Sequence, residues 1–326
     1  MRLGLIGLGR IGAFHARTLA DLDAVDSLVV TDAVPAVTAA VAAEVGAEPA
    51  DSPAKLLASG VDGVLIAAAT DAHPALLRAA VDAGLPVFCE KPLARDLAEA
   101  TAVAAAVRGA PVQIGYPRRF DAGFRAVRAA VVDGQLGRVH TVRSTTLDPA
   151  PPPRAYLAGS GGLFGDCTVH DLDTVRWVTG QEVLTVYATG SDRGDPMFAE
   201  LGDVDAAALV LTMADGSLGL ISNSRYNARG YDVRLEVHGA ADSAAAGLDD
   251  GLAMRPLGPD ALHPAGPPHT FFMDRLAAAF RAELAAFTEL VAGTTASPCT
   301  VDDALAVAVL AEAAVTSLRE GRPVHL

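Results

Sequence analysis

Residues 1–33 read MRLGLIGLGRIGAFHARTLADLDAVDSLVVTDA. A short apolar run, Arg2–Ile6, leads into three glycines, Gly7, Gly9 and Gly12, in the pattern G-x-G-x-x-G. A helical stretch, 13–19, follows, then a second apolar run, SLVVT at 27–31, and an acid, Asp32. The glycine pattern alone is weak evidence. Its place between a strand and a helix, with an acid at the end of the next strand, makes it a dinucleotide-binding fingerprint. Gly7 permits a tight turn, Gly9 lets the backbone approach a pyrophosphate at a helix N-terminus, and Gly12 lets the helix pack close to the strand. Asp32 is placed to accept hydrogen bonds from the adenosine ribose. An acid here repels a 2′-phosphate, and Ala33-Val34-Pro35-Ala36 supplies no cation to bind one. The expected cofactor is therefore NAD and not NADP.

The same alternation continues outward. Ser52-Pro53 opens a helix that Gly60 ends; 61–69 reads as a buried strand and 71–83 as a helix ended by Gly84. A strand at 86–89, a helix at 97–108 behind the Asp96–Glu99 capping box, and a strand at 111–115 complete the series. Strictly alternating strands and helices predict a doubly wound parallel sheet.

The period changes near residue 117. A helix is expected over 121–132, a strand over 137–146, then the proline-rich DPAPPPRAYLAGSGG and a helix over 166–179. Residues 181–256 read mostly as strands, with Asp215-Gly216 marking a hairpin. Two helices, 272–292 and 302–319, close the chain. The expected organisation is a dinucleotide-binding domain over 1–117 and an α/β domain with an open-faced, mainly antiparallel sheet over 118–326, the last helix packing back on the first domain.

The chain has 326 residues, 51% of them hydrophobic, enough for two cored domains. Twenty-five Lys and Arg against 39 Asp and Glu give a charge of −14, which argues against nucleic-acid partners. Cys89, Cys167 and Cys299 form no CxxC pair, so a reducing compartment and no structural zinc are expected. No run is long enough to span a bilayer, and the N-terminal apolar run is too short for a signal peptide, so the expectation is cytoplasmic.

Three stretches can carry chemistry. Cys89-Glu90-Lys91-Pro92 stands at the end of an expected parallel strand, where ligands of such sheets bind. A lysine held there suits proton transfer, and the following proline suggests a constrained, cis-type peptide. The bland alternative is a solvated surface lysine. In Gly161-Gly-Leu-Phe-Gly-Asp166-Cys-Thr-Val-His170-Asp171, Asp166 and His170 share a helix face at i and i+4. His170 can remove a hydroxyl proton while Asp166 orients the substrate or the imidazole. The alternatives are an N-cap for Asp166 and a core histidine for His170; no third soft ligand stands near enough to argue for metal. The third stretch runs Asn223-Ser-Arg-Tyr-Asn-Ala-Arg229-Gly-Tyr231-Asp232, where Tyr231 can line a sugar pocket or simply end a hairpin. His73, in Thr70-Asp-Ala-His-Pro, falls at a strand-to-helix junction near the expected cofactor, or caps that helix.

Taken together, these stretches resemble the Gfo/Idh/MocA oxidoreductases, and among them the inositol 2-dehydrogenases. The likeness runs from GLIGLGRIG through ATDAHPALLRAAVDAGLPVFCEKPLA, QIGYPRRFDAGF, DPAPPP and GGLFGDCTVHDLDTVRW to GYDVRLEVHG and SLREGRPV. It implies oxidation of a secondary ring hydroxyl, myo-inositol to 2-keto-myo-inositol in the first instance. It makes Lys91 the catalytic lysine, with His170 and Asp166 the catalytic His and substrate-site Asp. Arg118 and Tyr231 fall on substrate-pocket positions beside them. Gly7, Gly9, Arg10, Ile11, Gly12, Asp32, Thr70, His73, Glu90 and Lys91 are the expected cofactor contacts. Three positions depart from the usual inositol enzymes: Pro117 replaces Met, Leu147 replaces Arg and Arg229 replaces an aromatic. They leave open another sugar or pyranoside as substrate. A non-catalytic NAD-sensing regulator is the alternative of a different class, and one would be expected to have lost Lys91 or His170.

The strands 206–213 and 218–223 carry apolar residues on both parities. A sheet covered on one side only would then expose an apolar face, and a symmetric copy would bury it. A homo-oligomer, by resemblance a tetramer, is expected, with Leu211 and Leu220 as positions whose replacement by Arg would break it.

Overall fold

The computed structural model describes residues 1–258, 264 and 266–326. They divide into two compact units, 1–117 with 280–308, and 118–279 with 309–326.

The first unit is built on strands β1 (Arg2–Ile6), β2 (Ser27–Thr31), β3 (Glu48–Pro49), β4 (Gly63–Ile66), β5 (Val87–Glu90) and β6 (Val112–Gly115). They lie in the order β3-β2-β1-β4-β5-β6, and every pair is parallel. The connecting helices are α1 (Arg10–Ala20), α2 (Pro35–Val45), α3 (Pro53–Leu57), α4 (His73–Asp82) and α5 (Leu97–Val107). The strands are apolar at nearly every position because helices bury both faces, as parallel sheets require. Expected caps are seen: Ser52 Oγ accepts from Lys55 N–H, and an Asp96 oxygen accepts from Glu99 N–H. The expected strand 61–69 is shorter, because Thr70–Ala72 turns as a 3-10 segment ahead of α4.

The second unit contains α6 (Ala122–Val132), β7 (Val139–Leu147), α7 (Arg154–Leu157), α8 (Val169–Thr179), β8 (Val183–Ser191), α9 (Met197–Leu201), β9 (Ala206–Met213), β10 (Leu218–Ser224), β11 (Asp232–Gly239), β12 (Ser243–Ala246) and α10 (Phe272–Arg275). The chain ends with α11 (Ala277–Val291), α12 (Val301–Glu320) and β13 (Val324–His325). The expected helix 272–292 is thus interrupted at Leu276. From α11, Leu284, Phe287 and Leu290 join Leu3, Leu5, Val30, Leu65 and Phe88 in the core of the first unit.

The second sheet runs β12-β11-β7-β10-β9-β8-β13. It is antiparallel except at one pair: β7 and β10 are parallel, with Leu147 beside Ser224 at their ends. Helix α8 lies against β7 and packs on α6. The face turned toward the helices buries Val142, Leu209, Leu211 and Ile221. On the opposite face Leu184, Tyr187, Val210 and Leu218 stay 39–47% exposed. Leu211 is therefore on the covered face, contrary to the sequence expectation. Register explains it: Leu211 stands opposite Gly219, whereas Leu220 stands opposite Val210 on the open side.

Candidate active site

In the first unit the candidate residues gather on one edge of the parallel sheet. The glycine turn follows β1, Asp32 follows β2, Thr70 follows β4 and Lys91 follows β5, so all stand past the carboxyl ends of their strands. The β1/β4 neighbours connect to opposite sides, which is the switch point where such sheets bind nucleotides. Gly7 has φ +91°, and a Cβ there would meet the Ala68 backbone nitrogen at 2.4 Å. A Cβ on Gly12 would fall 2.0 Å from the Gly7 carbonyl, so α1 seats on the turn only with glycine. Gly9 differs: nothing lies within 4 Å of a Cβ there. It precedes α1 with no side-chain cap, which leaves an open cradle at a helix N-terminus, flanked by Arg10 and Ile11. The Asp32 carboxylate is held by two backbone donors, Leu8 N–H at 2.7 Å and Val34 N–H at 2.8 Å. Its remaining lone pairs suit a ribose diol, and its charge disfavours a 2′-phosphate. The residues present fit a dinucleotide.

Lys91 is half-buried, and its peptide to Pro92 is cis. Glu90, just before it, is buried and hydrogen-bonds His15 Nε2 at 2.6 Å. A Cβ on Gly115 would touch a Glu90 oxygen at 3.0 Å, so the carboxylate is wedged between α1 and β6. His15 was not singled out in the sequence, though a signal exists: it interrupts the buried stripe Gly12, Ala16, Leu19 of α1, and a polar group there needs a partner. His73 is also buried; Nδ1 faces the Pro92 carbonyl at 2.8 Å and Nε2 the Ala68 carbonyl at 3.0 Å. It braces the lysine loop against the end of β4 and does not cap α4 through its side chain.

In the second unit the expected helix 166–179 begins with a π turn, Phe164–Thr168, before α8. Such wide turns recur at functional sites. Asp166 lies inside the turn and not at its N-cap position; one carboxylate oxygen accepts from Tyr156 Oη and the other from Arg225 Nη2, both at 2.8 Å. His170 is half-buried in the first turn of α8.

Below His170 lies a buried polar cluster centred on Asp171. Its carboxylate accepts from Arg118 Nη1 (2.8 Å), Ser144 Oγ (2.5 Å), Thr146 Oγ1 (2.8 Å) and Asn223 Nδ2 (2.8 Å). Arg118 Nη2 also reaches Thr146. Arg118, expected in the substrate pocket, is thus 2% exposed and engaged internally. Tyr231, likewise, is buried, with its ring edge against Phe272. Burial pushes its phenol well above the ordinary value against the opposing pull of Arg118, so it is a neutral hydroxyl at any working pH. The structure brings Arg118 and Tyr231 into one electrostatic neighbourhood with Asp171.

Residues 1–116 match the model of the oxidoreductase family with an NAD-binding Rossmann fold, and residues 124–245 match the GFO/IDH/MocA C-terminal domain. The chain belongs to the Gfo/Idh/MocA oxidoreductase family. It is 40% identical to the myo-inositol dehydrogenase Hyg17 of Streptomyces leeuwenhoekii, over 97% of this chain and 98% of that one. A solved structure of a myo-inositol dehydrogenase from Corynebacterium glutamicum superposes with a TM-score of 0.93 at 34% identity, covering 100% of this chain and 98% of that one. The scyllo-inositol dehydrogenase of Lactobacillus casei, solved with NAD(H) and scyllo-inositol bound, gives a TM-score of 0.89 at 27% identity and the same coverage. No described helix is long and apolar enough to cross a membrane.

Because the Asp32 carboxylate is fixed by Leu8 and Val34, its charge cannot swing away from a 2′-phosphate. Asp32→Ser is expected to weaken NAD binding and to narrow the NAD/NADP affinity ratio by about tenfold or more, the size of a like-charge penalty of about 1–3 kcal/mol. Calorimetric titration of both cofactors checks this; an unchanged ratio would remove Asp32 from the ribose site.

Proposed function

We propose that the chain catalyses NAD-dependent oxidation of a secondary ring hydroxyl of a cyclic polyol, with myo-inositol to 2-keto-myo-inositol the favoured reaction. The observation that carries this reading is the joint presence of the glycine cradle with its fixed acid, the Glu90-Lys91-Pro92 strand end, and the Asp166/His170 pair. Inositol dehydrogenases among the relatives support it. The cradle, Gly7–Gly12 with Asp32, holds the dinucleotide, and Thr70, His73 and Glu90 shape its nicotinamide end. Bound NAD supplies a hydride acceptor. His170 takes the hydroxyl proton on its imidazole. Lys91 supports the transfer as a cation that steadies developing negative charge. Asp166 accepts from a neighbouring hydroxyl and so selects which ring carbon is presented. Arg118 and Tyr231 act from behind, through Asp171 and packing. A regulator without turnover would have no need of Lys91 and His170 together.

A second substrate reading rests on the departures. Leu147 ends β7 half-buried and Arg229 is exposed between β10 and β11. With Pro117 these positions favour testing other cyclic polyols and pyranosides beside myo-inositol.

The open sheet face supports a homo-oligomer, with a tetramer favoured by resemblance. Across it one cross-strand row reads Tyr187, Val210, Leu220 and Arg143. Exposed apolar rows of this kind are covered in soluble proteins by a partner, most simply a symmetric copy. The protein is expected at a multiple of its 33.3 kDa by light scattering, and at the monomer mass after Val210→Arg with Leu220→Arg. A wild-type mass near 33.3 kDa would end the proposal.

The function is tested by following NAD reduction across inositols and aldoses. Turnover is expected on myo-inositol and to fall by at least about a hundredfold in Lys91→Ala and in His170→Ala, the usual contribution of a general acid–base group. Absence of NADH formation across the panel would remove the reading.

A further inference from the structure

The segment that carries Lys91 is held on both sides by a buried imidazole. Just before it, Glu90 ends β5, and its Oε1 lies 2.6 Å from His15 Nε2. Just after it, the Pro92 carbonyl faces His73 Nδ1 at 2.8 Å. His15 has no exposure and belongs to the buried stripe Gly12, His15, Ala16 and Leu19 of α1. Its ring lies edge-on to Phe88 of β5, with centroids 5.8 Å apart at 74°, and to Phe280 of α11, at 5.7 Å and 68°. Phe88 and Glu90 are two apart on one strand and share a face, so His15 meets both. The rings set the plane of the imidazole, and Nε2 points from it to the carboxylate. Nδ1 is buried and has no hydrogen-bond partner. A hydrogen there would have no acceptor, so the hydrogen belongs on Nε2 and is donated to Glu90.

In the sheet, β4 separates β1 from β5. Helix α1 leaves the end of β1 and reaches over that strand to hold the end of β5. The same helix carries the dinucleotide cradle at its N-terminus, where Gly12 seats it against the Gly7 carbonyl. His15 follows Gly9 by six residues, about 9 Å along the helix axis.

We propose that His15 is a positioning residue for the catalytic lysine: through Glu90 it ties the start of the Lys91 segment to the helix that seats the cofactor, so that lysine and dinucleotide share one rigid frame. The proposal rests on the reading of Lys91 given above. A buried carboxylate that loses its donor is costly where it stands and turns toward another donor or toward water. Glu90 cannot turn without disturbing its backbone, because β6 closes the other side: a Cβ on Gly115 would lie 3.0 Å from Glu90 Oε2. The displacement is therefore passed to the next residue, Lys91. An apolar ring at position 15 would keep the packing against Phe88 and Phe280 and lose the direction that the hydrogen bond supplies.

The chain makes this unusually easy to read, because Lys55 and Lys91 are its only lysines. Lys55 is exposed in α3 and paired with Asp51. Protein labelled with 13C at lysine Cε gives two side-chain signals, and Lys91→Arg identifies the one that matters. In His15→Phe the Lys91 signal is expected to move and the Lys55 signal to stay. His15→Gln places an amide N–H near the position of Nε2 and is expected to return the Lys91 signal toward its wild-type place. Turnover of myo-inositol is expected to follow the signal: kcat falls at least about tenfold in His15→Phe, the size of one hydrogen bond to a charged group, and most of it returns in His15→Gln. The affinity for NAD, measured by calorimetry, is expected to change by less than about threefold, since Gly7, Gly9, Gly12 and Asp32 are untouched. If His15→Phe does not fold, Gly115→Ala presses on Glu90 from β6 and is expected to move the Lys91 signal in its place. The NMR readout needs no turnover, so a wild-type protein inert toward polyols would defeat the functional reading and leave this one still decided. An unmoved Lys91 signal in folded His15→Phe, or in Gly115→Ala if that variant has to be used, would overturn the proposal. So would a His15→Gln signal as far displaced as that of His15→Phe, or a loss of NAD affinity as large as the loss of kcat, since either result is what damaged packing alone would give.

Discussion

Asp171 is the residue on which the second unit turns. A carboxylate with no exposure is costly to bury, and it is stable here because four donors surround it. They come from three places: Arg118 ahead of α6, Ser144 and Thr146 on β7, and Asn223 on β10. The start of α8 is thereby fixed to the parallel pair of strands. His170, one residue earlier, inherits that fixed direction, and Asp166 inherits it through the π turn. The Asp171 carboxylate is engaged by all four donors, so it orients without itself being available for chemistry. Apolar packing could hold α8 as firmly, but it would not set the helix rotation to the same degree, because only directional bonds distinguish neighbouring rotations.

The two sheets solve one problem in the same way. In the first, every strand is parallel, and the glycine turn, Asp32, Thr70 and Lys91 all leave from carboxyl ends. In the second, parallel pairing occurs once, at β7 and β10, and that edge supplies Asp148 and Arg225. Parallel pairing brings the ends of two strands to one edge, which lets residues distant in sequence meet without a long loop. The positioning groups behind the candidate residues follow the same logic: His15 wedges Glu90 from α1, and Arg225 bridges Asp148 to Asp166.

What was legible in the sequence was local. The glycine turn declared itself because Gly7 and Gly12 meet backbone atoms that no Cβ can approach, and such constraints are written at fixed spacing. Asp32 was marked by the same fixed spacing; Lys91, Asp166 and His170 were marked as candidates by a strand end and an i, i+4 pair, and took their roles from the family resemblance. Partners were not. Nothing at residue 15 specifies residue 90, and nothing at 225 specifies 148, because those pairings are made by strand order. Arg118 was readable as a notable residue, but its engagement with Asp171 depended on where α8 lands. The π turn escaped because its residues keep an ordinary helical pattern. Leu211 was assigned to the wrong face because β9 is apolar on both parities; the helices that cover one side decide which parity is inside, and alternation alone does not encode them. Only the last helix was expected to pack back on the first unit; that α11 also joins it was hidden, an apolar helix face being silent about which sheet it will cover.

The proposed reaction breaks a ring C–H of a cyclic polyol, and bound NAD would accept the hydride. The most direct measurement follows that hydrogen. With myo-inositol deuterated at C2 and ordinary NAD, the account predicts that mass spectrometry finds the deuterium in the reduced nicotinamide, on one face only. Reduced nicotinamide without the label would contradict the assigned carbon, and no reduced nicotinamide from any cyclic polyol would contradict the account as a whole.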